Sequence, residues 1–355
     1  STDCKNAFGE INRTIMLRCI REKCPALLPY VQRFYGQKVE VFFEGKVVDV
    51  ARGILQGDTL AQMLQAIVLR VLFELCEIAK RTQEITYADD SSFVARAKAA
   101  VAIYERIQKD GPKHGVIMGA GKLQLTIPNP RKTAQGDISF GRWEVWADSA
   151  GATISHNGLT VLGCPVGLPS YGEKFAEILA EKVEEEMRQI MSLGDPLLQL
   201  KVMRSAMTSR VNHILRGSLP KLSAPTALMI DSTLAIGIRS VLGLESANFD
   251  SWTEALLAAP RLHGGLSLGR ATNSILDAYL RSRYLTQPLV QTLVGTSPAL
   301  PMAAKKYQES GFKSLTGMDL PPWGSNQVRG VQGKMQKARR RAYMKGIKEK
   351  AEGGT

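Results

Sequence analysis

Histidine and cysteine are both scarce in this chain. There are four His (114, 156, 213, 263) and five Cys (4, 19, 24, 76, 164) in 355 residues. The odd, irregularly spaced cysteines, with none beyond 164, argue against a disulfide-stapled secreted fold. They point to a reducing intracellular compartment, nucleus or cytoplasm. No Cys-x-x-Cys pair or Cys/His cluster is present, which removes a zinc knuckle. No uninterrupted apolar run approaches the ~18 residues of a membrane span. The longest stretch, Leu60 to Leu75, is broken by Gln62, Gln65, Arg70 and Glu74. There is no internal repeat, no nuclease motif and no leader-like opening. The chain starts Ser-Thr-Asp-Cys, inside what reads as a motif, so a partial reading frame is expected.

What the chain does have is positive charge. Lys and Arg total 46 against 33 Asp and Glu, a net charge of +13. Proteins this basic commonly meet a polyanion, although a surface rich in Lys and Arg is the plainer reading. The charge is uneven. Residues 329–350 hold nine Lys/Arg against the single acid Glu349. That stretch reads as a separate basic arm for RNA or DNA phosphates, with nuclear import as the weaker option.

Periodicity divides the chain into an α+β front half and a helical back half. Arg13–Lys23 reads as an amphipathic helix stopped by Pro25. Residues 37–50 read as a hairpin turning at Glu44-Gly45, and Gly53 to Gly57 as a loop. Asp58 or Thr59 should cap a helix reaching about Arg81. Glu84–Val94 reads as a second hairpin with Asp89-Asp90 in its turn. A helix is expected over Lys98–Lys109, ended by Gly111-Pro112. Strands are expected over Leu123–Ile127 and Ile138–Trp146. Helices follow over Glu173–Leu193, Leu197–Leu215, Pro225–Leu242 and Asn273–Tyr284. Residues 285–333 read as loosely structured, and Lys334–Lys350 as a basic helix or tail.

The strongest chemical signal is Tyr87-Ala88-Asp89-Asp90 between β-forming residues. Aspartate favours turns, so the pair alone is ambiguous. Four further segments sharpen it: Asp3-x-x-Asn6-Ala7-Phe8, Gln56-Gly57-Asp58 with Leu60, Gly115 with Lys122, and Val161-Leu162-Gly163-Cys164-Pro165-Val166-Gly167. In this order and spacing the five resemble the palm motifs of reverse transcriptases, and most closely those of non-LTR (LINE-like) retrotransposons. Pro260–Leu268 and Ala278–Ser282 resemble segments that follow the polymerase core in such elements. The resemblance covers about residues 1–285.

The resemblance implies an α+β right-hand polymerase palm over 1–169 with most fingers absent. A helical thumb over 170–222, a helical region over 223–328 and a basic tail over 329–355 would follow. It implies an RNA-directed DNA polymerase that uses an RNA template, a DNA primer and dNTP substrates. Asp3, Asp89 and Asp90 would hold two Mg²⁺ ions, with Mn²⁺ as an alternative; carboxylate oxygens are the hard donors such ions take. Phe8 would lie beneath the incoming sugar and exclude a 2′-OH, or serve as a core aromatic. Gln56, Gly57 and Tyr87 would line the nucleotide pocket. Lys122 would hold or protonate the pyrophosphate, or be a solvated turn residue. Leu162, Gly163, Cys164 and Pro165 would form the primer grip, or an ordinary turn. Lys201, Arg204, Arg210 and Arg216 would meet phosphates along the thumb.

The chain departs from the family pattern at Gly9, Thr59, Ala61-Gln62 and Gly119, where Asn, Pro, Gly-Pro and Asn are usual. With most fingers absent, low activity of the chain alone is expected. Two other readings stay open. One is a co-opted or decayed remnant that only binds nucleic acid. The other is an RNA-directed RNA polymerase, which Phe8 disfavours.

Overall fold

The structure is a computed structural model. It describes residues 1–37, 39–78, 82–88, 90–119, 121–133, 135–244, 257–259 and 265–294, with the single positions 338, 341 and 345. The chain divides into two compact units, Ser1–Leu162 and Gly163–Thr355. The described residues form a mixed α+β fold. None of their helices is long and apolar enough to cross a membrane.

In the first unit, helix α1 (Arg13–Lys23) begins where the Asn12 side chain accepts the Ile15 N–H at 3.2 Å. That is the cap a helix start needs for one of its orphan donors. α2 (Leu28–Tyr35) follows a short 3₁₀ turn. α3 (Ala61–Leu75) buries Leu64, Val68 and Leu72 on one stripe, and α4 (Ala97–His114) buries Ile103 and Ile107. With Met16 and Ile20 of α1 these side chains form one core. Each fully buried Leu or Ile contributes roughly 1.5–3 kcal/mol, so this helical layer is the platform on which the strands rest.

The sheet that matters has three strands, β1 (Thr2–Asp3), β4 (Gln83–Tyr87) and β5 (Asp90–Val94), in the order β1-β5-β4. All neighbours are antiparallel. A separate hairpin, β2 (Val39–Phe43) with β3 (Lys46–Val50), turns at Glu44 and Gly45, both at positive φ (49° and 75°). This is the two-residue turn whose twist suits a hairpin. β6 (Gln124–Thr126) runs parallel to β9 (Thr153–Ser155), and β7 (Arg131–Lys132) antiparallel to β8 (Ile138–Ser139). β10 is Gly158–Val161.

Several elements differ from the sequence reading. α3 stops at Leu75, short of Arg81, because Glu77 takes a left-handed φ of 53°. α4 runs through Gly111-Pro112 to His114. Pro112 forfeits one hydrogen bond near the helix end, and Gly115 at φ 77° then closes it. Of Ile138–Trp146 only Ile138–Ser139 is strand. Glu144 Oε1 accepts the Phe140 N–H at 2.7 Å and α5 (Arg142–Ala150) begins, placing Trp146 edge-on to Tyr104.

The second unit starts with β11 (Cys164–Gly167) and continues as helices: α6 (Pro169–Met191), α7 (Pro196–Val202), α8 (Thr208–Arg210), α9 (Asn212–Gly217) and α10 (Pro220–Val241). A final helix spans Ile275–Val294 and carries on past Tyr284 through Pro288, anchored by buried Tyr279 and Leu280. The expected single helix over Leu197–Leu215 is broken by a π-helical turn, Met203–Met207. The wider turn keeps both methionines inside the core shared by α6 and α10. Of the basic tail only Ala338, Arg341 and Lys345 are described, all helical.

Candidate functional site

Strand register builds the site. Thr2 pairs with Ser91, and Asp3 pairs with Asp90. On the other side of β5, Tyr87 pairs with Asp90 and Thr86 with Ser91. Residues directly opposite one another share a face of the sheet, and the next pair along shares the other face. The row Thr2, Ser91 and Thr86 turns inward: Thr2 and Ser91 are 3% and 0% exposed, and Thr86 Oγ1 donates to Ser91 Oγ at 3.3 Å. The row Asp3, Asp90 and Tyr87 therefore belongs to the opposite face. There Asp90 is half-buried and Tyr87 is 63% exposed.

The turn differs by one residue from the expected one. Asp90 opens β5, and Ala88 occupies the turn at a φ of 51°, an uncommon value for a residue with a Cβ. Asp89 lies outside the described residues, and so does the Asp3 side chain. Among the described residues no group of three or more His, Cys, Asp or Glu side chains is gathered. The carboxylates of this hairpin are the hard oxygen donors that Mg²⁺ takes, so the residue types fit that ion.

Around this row the backbone is tightly joined. Ser1 and Gln124 exchange two hydrogen bonds of 2.9 Å, and the Lys5 N–H donates to the Ile117 carbonyl at 2.7 Å. The chain from 117 to 124 is thus held beside the strand that carries Asp3. Lys122 sits there, exposed, just after Gly121 at φ 82°. Gly115 makes the closest approach. A Cβ on it would stand 1.9 Å from the Glu10 carbonyl oxygen.

Phe8 is half-buried against the helical core, and its carbonyl accepts the Ile54 N–H at 2.7 Å. Gly53 meets the same segment from the other side, where a Cβ would lie 2.5 Å from the Gly9 carbonyl oxygen. At Gly9 the nearest neighbour is a side chain. A Cβ on Gly9 would stand 2.5 Å from Asn6 Nδ2, so the Asn6 side chain occupies that space. Gln56 and Gly57 are exposed at the loop tip. Gly57, at φ 95°, has nothing within 4 Å of where a Cβ would be, which leaves its backbone open to close approach. Asp58 Oδ1 then accepts the Leu60 N–H at 2.8 Å, at the start of α3.

The 162–165 segment straddles the two units. Leu162 ends the first with φ 49°, and Gly163 opens the second with φ 73°. Inside the second unit Cys164 is buried, its Sγ 3.5 Å from the His213 carbonyl. Burial pushes its thiol up, which keeps it protonated and unsuited to nucleophilic work. The buried Ser218 hydroxyl donates to the Pro165 carbonyl at 2.9 Å. Among the cations of the second unit's helices, Lys201 and Arg216 are exposed, whereas Arg210 is half-buried in an ion pair with Glu186.

Two residues outside the motifs brace the site. Arg13 and Tyr35 are buried, at 6% and 4% exposure, and both reach the Gly53–Asp58 loop. The sequence carried a faint signal for Arg13. It is a cation on the stripe of α1 whose later members, Met16 and Ile20, are core residues. No known family model matches the chain, and no curated protein matches it.

Proposed function

We propose that this chain carries a nucleotidyl-transfer site of the reverse-transcriptase type, joining dNTPs to a primer 3′-OH on an RNA template. The observation that carries the reading is the cross-strand pairing of Asp3 with Asp90, on the face opposite the buried Thr2–Ser91 pair. Two aspartates paired across adjacent strands, with a third next in sequence at position 89, are a donor set for hard divalent ions. When bound, Mg²⁺ or Mn²⁺ would lower the pKa of the attacking hydroxyl and neutralise charge building on the leaving pyrophosphate.

The chain's own residues have distinct tasks in this reading. Asp3, Asp89 and Asp90 would hold the cations. Tyr87, on the same face, offers a ring for the primer end or the nucleotide. Gln56 and Gly57 meet the nucleotide and template through an exposed loop tip. Phe8, whose carbonyl accepts the Ile54 N–H, is the ring that lies beneath the incoming sugar in this reading. Lys122 gives a proton to the pyrophosphate or holds it. The 162–165 turn supports the primer backbone, and the helices after Pro169 supply cations for phosphates.

The test is primer extension on an RNA template with Mg²⁺, comparing the chain with Asp90→Asn. Extension should favour dNTP over rNTP. The substitution should lower it on the order of 10³-fold, since metal-borne charge stabilisation is worth several kcal/mol at 1.36 kcal/mol per decade. Duplex binding should persist. Binding without any synthesis by the unsubstituted chain would favour the remnant reading. Incorporation of rNTP in preference would favour an RNA polymerase.

A further inference from the structure

A buried guanidinium is expensive unless its donors are used, and apolar replacements of buried charges are often no less stable. Arg13 is buried at the first turn of α1, and among the described residues its hydrogen-bond partners are carbonyls. Its Nε donates to the Gly53 carbonyl at 2.8 Å. Its Nη1 donates to the Val50 carbonyl at 2.7 Å and the Gln37 carbonyl at 3.3 Å. Nη2 is buried without a hydrogen-bond partner. The guanidinium carbon lies 5.3 Å from the centre of the Tyr35 ring. The Tyr35 hydroxyl donates to Asp58 Oδ2, and the other oxygen of that carboxylate accepts the Leu60 N–H.

The two side chains thus hold both ends of one loop. Arg13 fixes Gly53, Tyr35 fixes Asp58, and the cation lies against the Tyr35 ring. The backbone adds Gly53 N–H to Ile11 carbonyl at 2.9 Å and Ile54 N–H to Phe8 carbonyl at 2.7 Å. Between the ends, Leu55, Gln56 and Gly57 are exposed. A segment pinned at both ends with an open middle is suited to presenting backbone to a ligand. An incompletely satisfied buried cation is a poor stabiliser, so its use lies in placement.

We propose that Arg13 and Tyr35 are positioning residues that clamp the Gly53–Asp58 loop and so set how tightly its tip, Gln56-Gly57, receives the incoming nucleotide. This rests on the polymerase reading above. Tyr35→Phe keeps the ring and removes one hydrogen bond. Arg13→Lys keeps the charge and cannot reproduce the three-carbonyl fork.

The experiment pairs amide hydrogen exchange over residues 53–60 with steady-state primer extension, using the 355-residue chain. Tyr35→Phe should speed exchange at Ile54–Leu60 and raise the dNTP KM roughly tenfold, with kcat changed less than threefold. Arg13→Lys should show the same split. Unchanged exchange in both variants would overturn the clamp. Faster exchange with an unchanged KM would overturn the link to nucleotide binding and leave the polymerase reading intact. If the unsubstituted chain extends no primer, the polymerase reading falls and the nucleotide role falls with it. The exchange data then still decide whether the clamp exists.

Discussion

Gly115 and Glu10 touch backbone to backbone: a side chain on Gly115 would begin 1.9 Å from the Glu10 carbonyl oxygen and 2.7 Å from the Asn12 nitrogen. The glycine also has φ 77° and ends α4, and the Asn12 N–H donates to the His114 carbonyl at 3.2 Å. Neither neighbour can yield, because both are main chain. Gly115→Ala should therefore cost roughly 3 kcal/mol, the sum of left-handed strain and a forced backbone shift. Urea unfolding checks this. Gly121→Ala is the control, since nothing lies within 4 Å of its added Cβ and only the positive φ is penalised.

Tyr35 makes stability depend on alkaline pH. Burial, followed by the hydrogen bond to Asp58, pushes its phenol up to about 12 from an ordinary value of 10.0. The folded state then keeps a proton that the unfolded chain releases. Its contribution is complete below about pH 10 and is lost as the pH rises toward about 12. The size is on the order of 2 kcal/mol. Urea midpoints taken between those limits should fall more steeply for the unsubstituted chain than for Tyr35→Phe.

The cations on the helices after Pro196 should not act alike. Arg210 already pairs with Glu186, both half-buried, whereas Lys201 and Arg216 face solvent. Replacing Lys201 or Arg216 by Gln should reduce the salt slope of nucleic-acid binding by about one each if each meets a phosphate. Arg210→Gln should leave the slope unchanged and cost about 1 kcal/mol of stability.

The basic arm predicts a larger effect on salt dependence. Residues 329–350 carry nine cations and one acid. Deleting 329–355 should flatten the slope by several, at roughly 0.7–0.9 per phosphate neutralised. Urea unfolding of the remaining chain should barely change. An unchanged salt slope would make the arm a bystander.

Local chemistry made much of the fold legible. Arg13–Lys23 has the bounds its apolar spacing gives, and Glu44-Gly45 turns a hairpin because left-handed φ suits those two positions. Failures came where a specific local hydrogen bond or backbone angle outweighed the residue pattern. The alternating run from Ile138 to Trp146 reads as strand, yet Glu144 caps Phe140 and starts a helix. Gly111-Pro112 reads as a stop, yet the helix continues until a glycine that can take φ 77°.

For the site, sequence supplied the carboxylates but not their pairing. That Asp3 stands opposite Asp90 is a matter of register between segments more than eighty residues apart, which no local pattern encodes. Arg13 and Tyr35 were missed for a related reason. They act on carbonyls and on the Asp58 carboxylate, and a motif does not mark groups that hold another loop in place.

The short link between Tyr87 and Asp90 also limits how this chain can vary in length. Only positions 88 and 89 separate two cross-strand partners. Side chains alternate with a period of two, so inserting one residue between Asp90 and Ser91 would move either Asp90 or the strand from Ser91 onward to the opposite row. Either a carboxylate would then be driven toward the core or a serine out to solvent. Residue identity at Ala88 is open to substitution by other residues that accept left-handed backbone, such as Asn or Gly. The parity of the count is not, so gaps in alignments of any future relatives should avoid the Tyr87–Ser91 stretch.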